Sequence, residues 1–195
     1  MELFWRQGYV ATGVAQIQKE LGILPGSFYF FFKSKEELLL AVLDRYMEML
    51  HPVLRDPVSK TTSDPIDRIF ALLAFYRRQL RASRFTLGCP IGNLALELGS
   101  RCRPARKKLN ALFDAWRGMI ESFLAEAEGR LPRGTAVKAI SAFVLTTMEG
   151  AIMLARANQD IRQFDRAVAQ LRNYFDLIEG RKQSTYRKTK KRSAR

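Results

Sequence analysis

The chain has 195 residues and a formal charge of +14, from 33 Lys and Arg against 19 Asp and Glu. That length predicts one or two domains with a true core, and a hydrophobic content of 47% excludes disorder for most of it. The single histidine excludes a His-based triad or a multi-histidine metal site, and no apolar run approaches the ~20 residues of a membrane span.

The charge is unevenly spread. Arg181 to Arg195 carry eight Lys and Arg and no Asp or Glu, which leaves +6 for residues 1–180. Residues 1–54 hold five basic and six acidic side chains and are nearly neutral. The segment 181–195 is therefore expected to be a disordered, solubilising tail that can add salt-sensitive phosphate attraction. No secretory signal precedes the two cysteines, a pattern that suits a reducing cytoplasm. There is no Walker loop, dinucleotide fingerprint or CxxC pair, so neither an enzyme nor a cofactor nor a metal is expected.

From the N-terminus, Met1 to Gln7 allow less than two helical turns. Thr12 can N-cap a helix to about Glu20, with Val14, Ile17 and Leu21 as its apolar face. Gly22 stops it, and Ile23 turns back into the small core. Pro25 suits the first position of a second helix running to about Phe31, with Lys33 and Ser34 breaking it. Ser34 and Glu37 form a capping box before Leu38, Leu39, Val42 and Leu43, so a longer helix opens at Lys35. Two short helices joined by a glycine turn and followed by a third are a helix-turn-helix, whose second helix can enter a DNA major groove.

These residues resemble the DNA-binding domain of TetR/AcrR-type transcriptional regulators. The likeness runs from Phe4 to about Leu43 through Gly8-Tyr9, Thr12, Val14, Ile17, Leu21-Gly22, Gly26, Tyr29, Phe32, Ser34-Lys35-Glu36 and Leu38. It implies phosphate contacts from Thr12, Tyr29 and Lys35, base contacts from Ser27, Phe28 and Phe30, and a place for Lys33 in the DNA-binding set. Aromatic edges at Phe30 and Phe31 favour thymine methyls over hydrogen-bond readout, which points to A/T-rich half-sites. Packing alone would put Phe28, Phe31 and Phe32 in the core. The family usually has a full, basic first helix ahead of Phe4; the short start here predicts a reduced one.

The helix opened by Ser34 presents Leu38, Leu39, Val42, Leu43, Tyr46, Met47 and Leu50 and should end near Pro52. Residues 55–64 read as a loop. Asp64 and Pro65 start the next helix, to about Arg84, with Ile66, Ile69, Phe70, Leu73, Tyr76 and Leu80 inward. A short helix, Pro90 to Leu98, precedes a long one from Pro104 to about Glu128. Residues 135–157 are apolar on most sides and need two partners. The last helix follows Asp160 and ends at Gly180. The prediction is an all-α chain of about nine helices: residues 1–43 a DNA-binding domain, 44–180 an effector-binding and dimerisation body, 181–195 the tail.

The resemblance implies a homodimer through residues 135–157 and 161–179, in which Gly150, Ala151 and Ala155 allow close approach, on a palindromic double-stranded operator. Glu97 and Glu149 are lone acids in apolar stretches, each needing a partner or a raised pKa. Either they line a pocket for an unknown small-molecule effector, with Asn93, Tyr76, Phe113, Trp116 and Met148, or they pair with arginines and the aromatics are core. Cys89 lies at a helix start, which would lower a thiol pKa. The reading that follows is a cytoplasmic repressor released by an effector, without membrane attachment. The alternative is a helical dimer that has lost specific DNA binding through its short first helix.

Overall fold

A computed structural model describes residues 1–180; the basic segment 181–195 lies outside the described residues. All regular structure among them is helical. Four helices make the N-terminal unit: α1 (Glu2–Gln7), α2 (Val14–Leu21), α3 (Ser27–Phe31) and α4 (Lys35–Met49). The body follows as α5 (Asp56–Thr61), α6 (Pro65–Ala82), α7 (Pro90–Leu98), α8 (Arg103–Glu126), α9 (Val137–Asn158) and α10 (Ile161–Ile178).

Local signals set several boundaries as expected. Ser34 Oγ accepts from Glu37 N at 3.1 Å, and Glu37 Oε2 accepts from Lys33 N at 2.7 Å, so the capping box closes one residue early. Asp64 Oδ1 accepts from Ile66 N and Asp67 N at 2.9 and 3.1 Å ahead of Pro65. Gly22 takes the left-handed conformation that ends α2 (φ 64°).

Three expectations are corrected. Gly13, not Thr12, precedes α2, and Gly26 precedes α3, which starts at Ser27 rather than Pro25. The chain does not break at Pro52. A π-helical segment, Leu50–Arg55, carries it into α5 across what reads as loop. Proline withdraws one N–H from the α ladder, and a wider turn accommodates that loss without ending the helix. Leu54 and Val58, both buried, reward the continuation.

The core runs through the body, with Phe123, Phe164 and Phe175 fully buried. Helix α9 packs against both α8 and α10. Arg77 and Arg172 tie α6 to α10 through Asp165 and Asp67, each at 2.7 Å. Among the described residues α9 is the one helix long and apolar enough to cross a membrane, with a mean hydropathy of 1.5. Composition overlooked it because Glu149 interrupts the run; here it is a body helix with a buried face. Ala151 and Ala155 belong to that face, correcting their expected place at a dimer contact. Phe143, Met153 and Leu154 on α9 and Leu177 on α10 are the exposed apolar residues instead.

Candidate nucleic-acid interface and effector cleft

Helix α3 is five residues long and starts at a left-handed Gly26 (φ 92°). So short a helix divides sharply between faces. Phe28 is 2% exposed, meets Tyr29 edge to face and packs at a tilt on Phe32. Phe30 and Phe31 are 85% and 67% exposed and meet each other edge to face. Tyr29 and Leu24 are also exposed, Ser27 is half-buried and Lys33 is exposed. Phe28 therefore cannot read bases and Phe31 is not core, two corrections. Leu21, expected on the inner face of α2, is exposed as well.

Thr12 and Lys35 also depart from expectation. Thr12 is fully buried. Its Oγ1 donates to the Gly8 carbonyl at 2.6 Å and accepts from Gln7 Nε2 at 3.3 Å, so no hydroxyl is left for a phosphate. Lys35 Nζ donates to the Tyr9 and Thr12 carbonyls at 2.9 and 2.8 Å and sits 4.3 Å from the Tyr9 ring centroid. Thr12 closes the turn between α1 and α2 on itself, and Lys35 ties that turn to α4.

That turn is also fastened to the body. Gly8 has φ 84°, and a side chain there would meet Glu97 Oε2 at 2.8 Å. Close approach lets Glu97 accept from Tyr9 N and Val10 N at 2.8 and 2.6 Å. Trp5 Nε1 donates to the Gly88 carbonyl at 2.7 Å, just before α7. Glu97 is thus a latch between α7 and the DNA-binding unit, not a pocket wall. Lys108 on α8 pairs with Asp44 on α4 as a second tie.

The expected pocket residues divide between two cavities. Tyr76 and Trp116 line a small apolar one of about 230 Å³ beneath α1, α4 and α7, with Met1, Trp5 and Ile91. Burial raises the Tyr46 hydroxyl there to about 12, and the buried Trp116 Nε1 has no acceptor among the described residues. Asn93, Phe113 and Glu149 line a larger cleft of about 1080 Å³ between α7 and α9, together with Phe85, Gly92 and Arg156. Met148 lines neither and is core. Arg84 and Phe85 both hold left-handed backbone (φ 49° and 62°), a costly turn that sets Phe85 in the cleft wall.

Glu149 dominates that cleft. Desolvation raises its carboxyl to about 7, partly offset by a hydrogen bond from the Cys89 thiol. Among the described residues its Oε1 is buried without a partner, and no arginine of theirs pairs with it. A side chain on Gly92 would meet Oε2 at 2.3 Å, so glycine makes the room. Cys89 accepts from Gly92 N at 3.2 Å. Burial, and then the Glu149 charge, push its thiol well above the usual range, reversing the lowering expected of a helix start. Arg156 Nη1 donates to Asn93 Oδ1 at 3.2 Å. Arg156 and Gly92 were not foreseen, although Arg156 lies seven residues from Glu149 on one helix face.

Known proteins share this architecture. Residues 1–42 match the family model for bacterial regulatory proteins of the tetR family, and residues 65–170 that for the C-terminal domain of LmrA/YxaF-like transcriptional regulators. The HTH-type transcriptional regulator YxaF of Bacillus subtilis is 31% identical, with 81% of each chain covered. LmrA of the same organism is 30% identical over 78% of this chain and 80% of its own. A TetR transcriptional regulator of Chloroflexus aurantiacus superposes with a TM-score of 0.77 at 30% identity, covering 88% of this chain and 87% of that one. The helix-turn-helix on an all-helical body, matched over both parts, makes this chain a member of the TetR family of DNA-binding transcriptional regulators.

Proposed function

We propose that the protein is a cytoplasmic repressor that binds a palindromic operator as a homodimer and is released when a small molecule fills the α7–α9 cleft. The observation that carries this reading is the double role of α7. Its first turn supplies Cys89, Gly92 and Asn93 to the cleft, and its last turn holds the α1–α2 turn through Glu97. A ligand that displaces α7 acts directly on the orientation of the reading head. It shifts the population only to the extent that it binds the displaced state better.

Exposed Tyr29, Phe30 and Lys33, with Ser27 and the newly evident Phe31, form the DNA-facing set in this proposal. Residues 1–43 are the reading unit and 44–180 the sensing body. The dimer contact uses the exposed apolar residues of α9 and α10. Phe143 is 46% exposed and lies edge to face on Tyr174, beside Ile140 and Ile178. Replacing Phe143 with Glu is expected to convert dimer to monomer at micromolar concentration, because a charge cannot be desolvated there unpaired. Light scattering coupled to gel filtration checks this; an unchanged mass would move the interface elsewhere.

The latch is tested by Glu97→Ala. A carboxylate bonded to two amides contributes roughly 2 kcal/mol at a partly exposed site. The Tyr9 and Val10 amides should therefore exchange with deuterium about thirtyfold faster. Operator affinity of the variant should no longer respond to a cleft ligand. A variant that keeps the full ligand response would remove α7 from the signalling path.

A further inference from the structure

We infer that the α7–α9 cleft takes an organic carboxylate whose apolar body carries a hydrogen-bond donor at its far end. The carboxylate lies on Arg156 and Asn93, and the donor, a hydroxyl or an ammonium, on Glu149 Oε1. The inference rests on the cleft being the effector site and adds the chemistry of what fills it.

Two polar groups border one apolar space, and Glu149 Oε1, closed to solvent here, meets a ligand donor once the carboxylate turns towards the cleft. At one end Arg156 gives a single N–H to Asn93 Oδ1, and among the described residues no carboxylate pairs with it. A guanidinium has five N–H donors in a planar fork suited to a carboxylate. Asn93, whose oxygen is engaged by Arg156, keeps its amide N–H groups for the same anion. At the other end Glu149 Oε1 is buried and lacks a hydrogen-bond partner among the described residues. Such an oxygen is costly to leave unpaired, and a ligand donor relieves that cost. Its sister oxygen Oε2 lies where a side chain on Gly92 would stand. Between the ends stand Phe85, Phe113, Leu145 and Ile152. Residues 149 and 156 are seven apart on α9, so their Cα atoms stand about 10 Å apart along the helix axis. A hydroxyphenyl or aminoalkyl acid spans that distance; a bare alkyl acid leaves Glu149 unmet.

The test is calorimetric titration of the full chain with para-hydroxyphenylpropanoate, its methyl ester, phenylpropanoate and tyramine. The acid should bind at least about tenfold tighter than the ester and than phenylpropanoate. In Arg156→Gln the acid should lose its advantage over the ester and keep that over phenylpropanoate. In Glu149→Leu the reverse should hold. Gly92→Ala, which drives the Glu149 carboxylate from its place, should behave as Glu149→Leu. Tyramine against its acetamide distinguishes an ammonium from a hydroxyl at Glu149. Equal binding of acid and ester by the unsubstituted protein, or no binding of the acid at millimolar concentration, overturns the inference. If another probe still binds and Leu96→Trp, at an 80% exposed wall position, abolishes it, the cleft survives as effector site and only the ligand class falls. If Leu96→Trp leaves all binding unchanged, the cleft itself is lost as the site.

Discussion

Glu149→Gln should make the protein more stable at pH 8, by about 3 kcal/mol. The carboxyl is held near 7 in the folded chain, against its ordinary value of 4.5 in the unfolded one. Between these values the folded state binds the extra proton, so stability falls as pH rises through that window. Below pH 4.5 the group is neutral in both states and the contribution vanishes. Above pH 7 the folded state holds a desolvated anion, and each tenfold weakening of its acidity corresponds to about 1.4 kcal/mol. Glutamine fits the same space without the charge. The groups that face Glu149 do not blur the window: Cys89 is pushed well above its usual range on α7, Tyr76 on α6 likewise, and Arg156 shares the cleft from α9 itself. The expected gain in Tm is about 6–12 °C at pH 8, shrinking towards zero at pH 4. Thermal unfolding of both proteins across pH 4–8 reads it directly. A variant less stable at pH 8 would mean that the carboxylate is compensated by a partner and that Oε1 is not orphaned.

Phe28 and Phe30 should separate stability from DNA binding. Phe28→Ala removes a ring that is 2% exposed and packs on Phe32. It should cost about 3–5 kcal/mol, enough to unfold the reading head. Phe30→Ala removes a ring that is 85% exposed. It should leave Tm within about a degree while lowering operator affinity about tenfold, concentrated at A/T base pairs. Melting curves and operator titrations of the two variants, side by side, check both halves. An operator affinity untouched by Phe30→Ala would take the aromatic tip out of the groove.

The same residues show what a sequence discloses. Caps that close within three or four residues, such as Asp64 before Pro65 and Ser34 before Glu37, were legible because partner and signal are neighbours. The faces of α6 and α8 were legible because eighteen and twenty-four residues display a period. Five residues do not, so α3 could not be oriented: Phe28 read either as a base contact or as core, Phe31 as core by packing, and the helix buries the first and exposes the second. Thr12 carried a capping signature, but the turn at Gly8 offered its hydroxyl a carbonyl at 2.6 Å instead. Glu97 read as a pocket acid because the amides it accepts from lie 88 and 87 residues away. No local pattern announces a partner at that distance. Glu149 was legible as an anomaly, whereas the glycine that makes its room and the arginine across the cleft needed the packing of α7 on α9.

The most direct test of specific DNA binding by this helix-turn-helix is a fluorescence-anisotropy titration of the 195-residue protein against DNA from its own upstream region and a scrambled control, at two salt concentrations. Tight binding to the native DNA alone is expected, with the preference kept at the higher salt, because base-reading contacts from α3 do not depend on counterion release. Equal binding to both DNAs, lost at the higher salt, would contradict it. The basic tail would then be the DNA-binding element, and the helix-turn-helix would be serving another end.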